Sequence, residues 1–388
     1  MPFGYLITTG IVLVATLLAI RPARRPRWAA VLSWSLTMVL NELPIAVVAL
    51  FLLPSTLLAL VEGDLRGPGG WIGAGMALLA TLGLAVVVRR CLRSRPAVDR
   101  ALASSAAGPA HGTAAAPRRR LLLLLLPLPV RRREVERVSG LRYGDHEANV
   151  LDLYRHRDRP DGAPVFIHLH GGRFRWGGRS REGRALLHRL AADGWLGISA
   201  DYRLSRDPAA GFPDHLVDVK RVLAWVRTHG SALGADGETV FVAGSSAGAH
   251  LAAMAALTTN DPAYQPGFEE ADTSVSGGVG LYGYYGHLGG DPQVASSPLQ
   301  HDPRAAPPMF IVHGDHDTYT PVDGARRLVH HLRKGSAQPV VYAELPGAQH
   351  AFDRFRSLRF DDVIEATVAF TAGVRSLSGS RTRPSPCP

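Results

Sequence analysis

The chain is nearly without cysteine and lysine. Among 388 residues only Cys91 and Cys387 are cysteines, one beside an apolar run and one at the far C-terminal end. That scarcity gives no ground for a disulfide framework or a thiolate metal site. Of the 43 basic residues only Lys220 and Lys334 are lysines, a bias that reflects GC-rich coding and no chemistry. Also missing is any helix-turn-helix, zinc-finger or interleaved aromatic–basic pattern, so the formal charge of +10 is not a nucleic-acid footprint. Its distribution is uneven. Residues 1–140 hold 17 basic and 6 acidic side chains, a balance of +11, and the remainder holds 26 and 27, a balance of −1. The excess flanks long apolar runs, as membrane-flanking charge does.

Three such runs are present. Residues 3–20 are apolar apart from Thr8, Thr9 and Thr16, residues 71–88 carry no charge, and residues 28–61 are broken only at Asn41-Glu42-Leu43-Pro44. Each is long enough for a hydrocarbon core of about 30 Å. The first has no basic stretch before it and is followed by Arg21-Pro22-Ala23-Arg24-Arg25-Pro26-Arg27, so it reads as a retained span and not a cleaved signal. Basic clusters favour the cytoplasmic side. Arg21–Arg27 and the later Arg89, Arg90, Arg93 and Arg95 share that side only if the middle stretch crosses once. The expectation is therefore three spans, a multi-pass cell-membrane protein, N-terminus outside and the remaining chain in the cytoplasm. A charge at the bilayer centre costs roughly 2.5–3.5 kcal/mol. Starting the middle span at Pro44 avoids that, leaving Asn41 and Glu42 at the interface and residues 28–40 shallow or broken away. The alternative is a polar site within the membrane.

Residues 96–134 read as a linker rich in Ala, Pro, Arg and Leu. Within it, six leucines between Arg118-Arg119-Arg120 and Arg131-Arg132-Arg133 are too few to span a bilayer. They fit either an anionic leaflet surface or a strap packed on the following domain. That domain runs over 135–375, and 376–388 reads as a disordered tail.

From residue 135 strands alternate with helices. Strand candidates are 165–169, 196–200, 240–242, 309–312 and 340–342, and helices are expected near 180–193, 213–229, 247–257, 321–334 and 355–373. This predicts an α/β fold, a mostly parallel sheet with helices on both faces, preceded by the transmembrane helices. Sites in such sheets lie at the carboxyl ends of strands.

Chemistry-bearing residues fall at those ends. Gly244-Ser245-Ser246-Ala247-Gly248 sits between an apolar strand and a helix-like run, the strand–turn–helix setting of a nucleophile elbow. An ordinary Gly/Ser turn fits the pentapeptide too. His170-Gly171-Gly172 follows another strand and could present backbone N–H groups of Gly171 and Gly172, with that of Ala247, to a developing oxyanion. A serine hydroxyl needs an imidazole base and a carboxylate to orient it. His350, after a strand and a Pro-Gly turn, is the candidate base. Asp317 is the candidate carboxylate, with Asp315 and Asp323 as rivals. His313, His316 and Asp315 show no clean metal spacing, so neither metal nor cofactor is expected.

At these residues the chain resembles the α/β-hydrolase superfamily, in its hormone-sensitive-lipase-like esterase branch, and is similar to actinobacterial membrane-anchored Lip-type esterases. The resemblance rests on His170-Gly171-Gly172-Arg173-Phe174-Arg175-Trp176-Gly177, Asp201-Tyr202-Arg203-Leu204, Phe212-Pro213 through Asp218, and Gly244–Gly248. It implies carboxylic-ester hydrolysis through an acyl-serine, with Ser246, Asp317 and His350 as triad and Gly171, Gly172 and Ala247 around the oxyanion. Partners would be an ester substrate, lipidic if the anchor is a guide, and the bilayer. Acyl transfer by the same triad, or a non-catalytic hydrolase-fold membrane module, are the alternatives. Arg173 departs from the family's third glycine. Tyr282, Tyr284 and Tyr285 either line a substrate pocket or form a plain aromatic loop.

Overall fold

The computed structural model describes residues 3–105, 120–123, 132–206, 211–289 and 294–381. Residues 106–119 and 124–131 of the expected linker, with four of its eight leucines, and residues 382–388 of the expected tail lie outside the described residues.

The N-terminal region is helical: α1 (Phe3–Ile20), α2 (Arg27–Glu42), α3 (Pro44–Val61), α4 (Pro68–Leu92) and α5 (Ser94–Ala103). Helices α1 and α4 meet through small residues. Ala15, Ala19, Ala77 and Ala80 are buried. A Cβ on Gly73 would lie 2.6 Å from the Tyr5 ring, and one on Gly83 2.5 Å from the Thr16 methyl. Close backbone approach through small residues is how helices associate where no water drives them together. Buried hydroxyls are satisfied within the helix, Thr9 donating to the Tyr5 carbonyl (2.8 Å) and Thr16 to that of Val12 (2.7 Å). The large side chains Ile7, Ile11, Leu78 and Leu82 face outward. Three helical stretches, Phe3–Ile20, Pro44–Val61 and Pro68–Ala103, are long and apolar enough to cross a membrane.

Helix α2 runs from Arg27 to Glu42. It packs on the sheet domain, and there Glu42 finds its place. Arg359 donates to Glu42, Ser357 donates to it at 2.6 Å, and both charged side chains are buried. Glu42 is thus held by the sheet domain. A buried carboxylate needs a cation and hydrogen bonds, and these come from the other end of the chain.

The linker reading also fails at its start. Val98, Ala101 and Leu102 share one face of α5 at i, i+3 and i+4 spacing, and they join the core cluster that contains Phe310 and Phe370.

The domain after residue 132 is one eight-stranded sheet. Its strands are β1 (Val135–Arg142), β2 (Val150–His156), β3 (Ala163–Leu169), β4 (Leu196–Ala200), β5 (Ala235–Ser245), β6 (Gly277–Leu281), β7 (Met309–Gly314) and β8 (Val340–Leu345). The order is β1-β2-β4-β3-β5-β6-β7-β8, with β2 antiparallel to both neighbours and the rest parallel. Period-two alternation divides the core. Phe166, Phe241 and Phe310 pack on one face with α6 (Arg184–Ala192), α10 (Leu358–Arg381) and α5. Val165, Ile167 and Val242 pack on the other with α7 (Asp214–His229) and α8 (Ala247–Leu257). Helix α9 (Asp323–Gly335) packs on β7 and β8 at that second face. From β3 the chain moves outward to β4 and then returns across β3 to β5. The crevice beyond the carboxyl ends of β3 and β5 is thus a topological switch point.

Candidate active site

Ser246 lies at that switch point. It follows β5, precedes α8 and has φ 54° and ψ −112°, a conformation rare for a non-glycine residue. The flanking glycines are required by space. A Cβ on Gly244 would come within 2.2 Å of the Gly248 carbonyl carbon, and one on Gly248 within 2.1 Å of the Leu169 oxygen. The elbow folds back on itself and onto the end of β3, and only glycine fits there.

His350, in the loop after β8, places Nε2 2.9 Å from Ser246 Oγ, and its Nδ1 is 2.7 Å from Asp317 Oδ2. Asp317 lies after β7, where its Oδ1 accepts the amide N–H groups of Tyr319 (2.9 Å) and Thr320 (2.7 Å). A second imidazole, His313, stands 3.3 Å from Oδ2. Burial alone would raise the Asp317 carboxyl, but the His350 and His313 side chains outweigh it and hold it down to about 2. The rival aspartates go elsewhere. Asp315 accepts the Gly347 amide at 2.6 Å, and Asp323 pairs with Arg326 at the surface.

The oxyanion-side amides require one correction. Gly171 N–H donates to Glu182 Oε2 at 2.5 Å, so this amide is taken. Gly171 matters instead for space, since a Cβ there would lie 3.0 Å from that of Ser246. Among the described residues none accepts from the amides of Gly172, Arg173 or Ala247. Gly172 has φ 126°, and a Cβ on it would collide with the Trp176 carbonyl oxygen at 1.8 Å. The loop is braced from below: Tyr202 stacks on His170 (4.4 Å between ring centroids) and donates to the His170 carbonyl at 2.9 Å. Arg203 in turn binds Asp218 through its backbone and guanidinium (2.8 and 2.9 Å). The aromatic loop is mixed in role. Tyr284 lines the cavity in front of Ser246, while Tyr282 and Tyr285 are buried.

Two features escape sequence reading. Beneath the elbow, Ser245 Oγ donates to Asp353 at 2.5 Å, as does the Tyr282 hydroxyl. Burial first, then the Glu182 charge, pushes the Asp353 carboxyl up to about 7. Above the site, Trp34 of α2 donates from Nε1 to the His350 carbonyl at 3.1 Å, and Thr318 donates to the Ala30 carbonyl at 2.8 Å. The N-terminal region thus braces the loops that carry His350 and Asp317.

In front of Ser246 lies a cavity of about 580 Å³, lined in part by Ala247, Phe174, Tyr284, Leu288 and Tyr319.

The chain is similar to known esterases. The sequence profile of the BD-FAE family matches residues 151–284. The chain is 35% identical over 427 aligned positions to the probable carboxylic ester hydrolase LipM of Mycobacterium tuberculosis, covering 99% of this chain and 96% of that protein. Esterase LipC from the same organism is 40% identical over 62% of this chain and 65% of its own length. Among solved structures, the apo form of Thermogutta terrifontis esterase 2 superposes with a TM-score of 0.54 at 22% identity, over 63% of this chain and 97% of the esterase. That likeness concerns the fold. Sequence kinship running from the N-terminal helices through the sheet domain carries the further conclusion: the chain belongs to the hormone-sensitive-lipase-like carboxylic ester hydrolases of the α/β-hydrolase superfamily.

Proposed function

We propose that the chain is a membrane-embedded serine esterase whose nucleophile is Ser246. The observation that carries this reading is the unbroken relay from Ser246 Oγ through His350 to Asp317, at 2.9 and 2.7 Å. His350 Nε2 takes the hydroxyl proton as Oγ attacks the ester carbonyl, then delivers it to the departing alkoxide. Asp317 fixes the tautomer that leaves Nε2 basic. Water, deprotonated by the same nitrogen, releases the acid and regenerates Ser246. The tetrahedral oxygen is held by the amides of Gly172, Arg173 and Ala247, at the positive end of α8. One such donor is typically worth about 3 kcal/mol in the transition state.

Residues 1–95 serve as the membrane region, with α1, α3 and α4 crossing and α2 lying beneath the bilayer on the catalytic domain. Supporting this, both basic clusters lie at the helix ends that meet that domain. Arg24 donates to the Asp315 carbonyl at 2.8 Å, and a Cβ on Gly347 would sit 2.6 Å from the Arg90 side chain. By the positive-inside rule the catalytic domain is cytoplasmic. A periplasmic-type reporter fused after Pro388 should stay silent, and an active one would reverse the orientation. For the chemistry, turnover of esters of graded acyl length should vanish in Ser246→Ala; full activity in that variant would refute the assignment.

A further inference from the structure

The connector between α1 and α2 does more than flank a membrane. Arg24, Arg25 and Arg27 line the same cavity as Ser246 and Ala247, and Arg173 enters that lining from the His170-Gly171-Gly172 loop. Four arginines from two remote parts of the chain therefore line one cavity. Among the described lining residues none is an aspartate or glutamate. Arg25, Arg27 and Arg173 make no hydrogen bond or ion pair within the described residues, and Arg24 donates only to a carbonyl.

Some arginines of the catalytic domain behave otherwise. Arg137, Arg179, Arg203 and Arg359 are each paired with carboxylates. Like charges gathered along a cleft raise the local concentration of anions. Guanidinium groups suit carboxylate and phosphate because their paired N–H donors match two oxygens. The cavity also holds apolar surface, Phe174 and Leu288, to receive an acyl chain.

Building on the esterase reading, we infer that the substrate is an anionic ester, one carrying a carboxylate or phosphate oxyanion held by Arg24, Arg25, Arg27 and Arg173 while Ser246 meets the carbonyl. The anion belongs either to a soluble acid ester or to a lipid headgroup.

The test uses the full chain in neutral detergent and titrates acid release. Monoethyl succinate is compared with ethyl butyrate, and lysophosphatidylglycerol with the uncharged monoacylglycerol of the same acyl chain. The wild type should favour the anionic member of at least one pair by about tenfold or more in kcat/KM, the factor for one charge-assisted hydrogen bond. The pair that shows it identifies the source. In Arg24→Gln/Arg25→Gln/Arg27→Gln, and separately in Arg173→Gln, that ratio should fall toward one. It should fall also as salt rises from about 0.05 to about 0.5 M. A wild-type ratio of one or less in both pairs, or a ratio unchanged in both variants, overturns the inference. Loss of turnover on all four esters, with no fluorophosphonate labelling of Ser246, would overturn the esterase reading itself and this inference with it.

Discussion

Helices α1, α3 and α4 and the eight-stranded domain place their large apolar side chains differently. In the helices Ala15, Ala19, Ala77, Thr9 and Thr16 share the buried positions with Val12, Leu52 and Leu84, while Ile7 and Leu78 are 59% and 60% exposed. In the sheet domain Phe166, Phe241, Phe310 and Phe370 are wholly enclosed. That division suits the proposed membrane region, with lipid around the helices and water around the sheet domain. Water drives large apolar groups inward, whereas lipid offers them as good a place outside and leaves close backbone packing to hold the helices. Helix α2 is the seam. Its Glu42–Arg359 pair and its Trp34 contact to His350 join the two regions at the site.

The largest effect expected belongs to the sheet domain alone. Asp317→Asn should keep the fold and lower kcat by about 10⁴, because the wrong histidine tautomer results. A small loss, measured on well-folded protein, would detach the relay from the chemistry. Next comes the seam. Glu42→Gln leaves Arg359 buried without its counter-charge and should cost about 3–5 kcal/mol in thermal unfolding, with Glu42→Gln/Arg359→Met recovering most of it. No recovery would mean that the pair itself, and not the stranded charge, holds the regions together.

A matched pair then breaks or sharpens the two-solvent contrast. Phe310→Ala should destabilise by about 3–5 kcal/mol, while Leu78→Ala, outward on α4, should stay within about 0.5 kcal/mol in detergent. Equal losses would show that both regions pack by the same rule. The smallest effect is a pH dependence. The folded Asp317 carboxyl sits near 2 against an ordinary 3.8, so it binds fewer protons folded than unfolded between those values. Its stabilisation is complete above the ordinary value and is lost as pH falls toward 2. The stability gap between wild type and Asp317→Asn should therefore narrow from about pH 4 to about pH 2.

Local periodicity and turn chemistry made much of the fold legible in the sequence. Val165–Leu169 and Val340–Tyr342 read as strands, the helix over 247–257 has the bounds expected, and Ser246, Asp317 and His350 fall where strand ends leave them. What was not legible depends on partners distant in sequence. The Gly171 amide cannot be known as occupied without Glu182 folding back eleven residues later. The place of Glu42 depends on Arg359, 317 residues away. Val98, Ala101 and Leu102 carried a usable signal in their helical spacing, masked by the Ala/Ser/Pro composition that follows. The antiparallel β1 was hidden by its irregular register between Val138 and Leu141.

Mapping a fluorophosphonate adduct by mass spectrometry on the full-length protein tests the account most directly. The probe should modify Ser246 alone and fail to modify Ser246→Ala or wild type blocked by a slow ester substrate. Stoichiometric modification at another residue, or undiminished modification of the alanine variant, would contradict it.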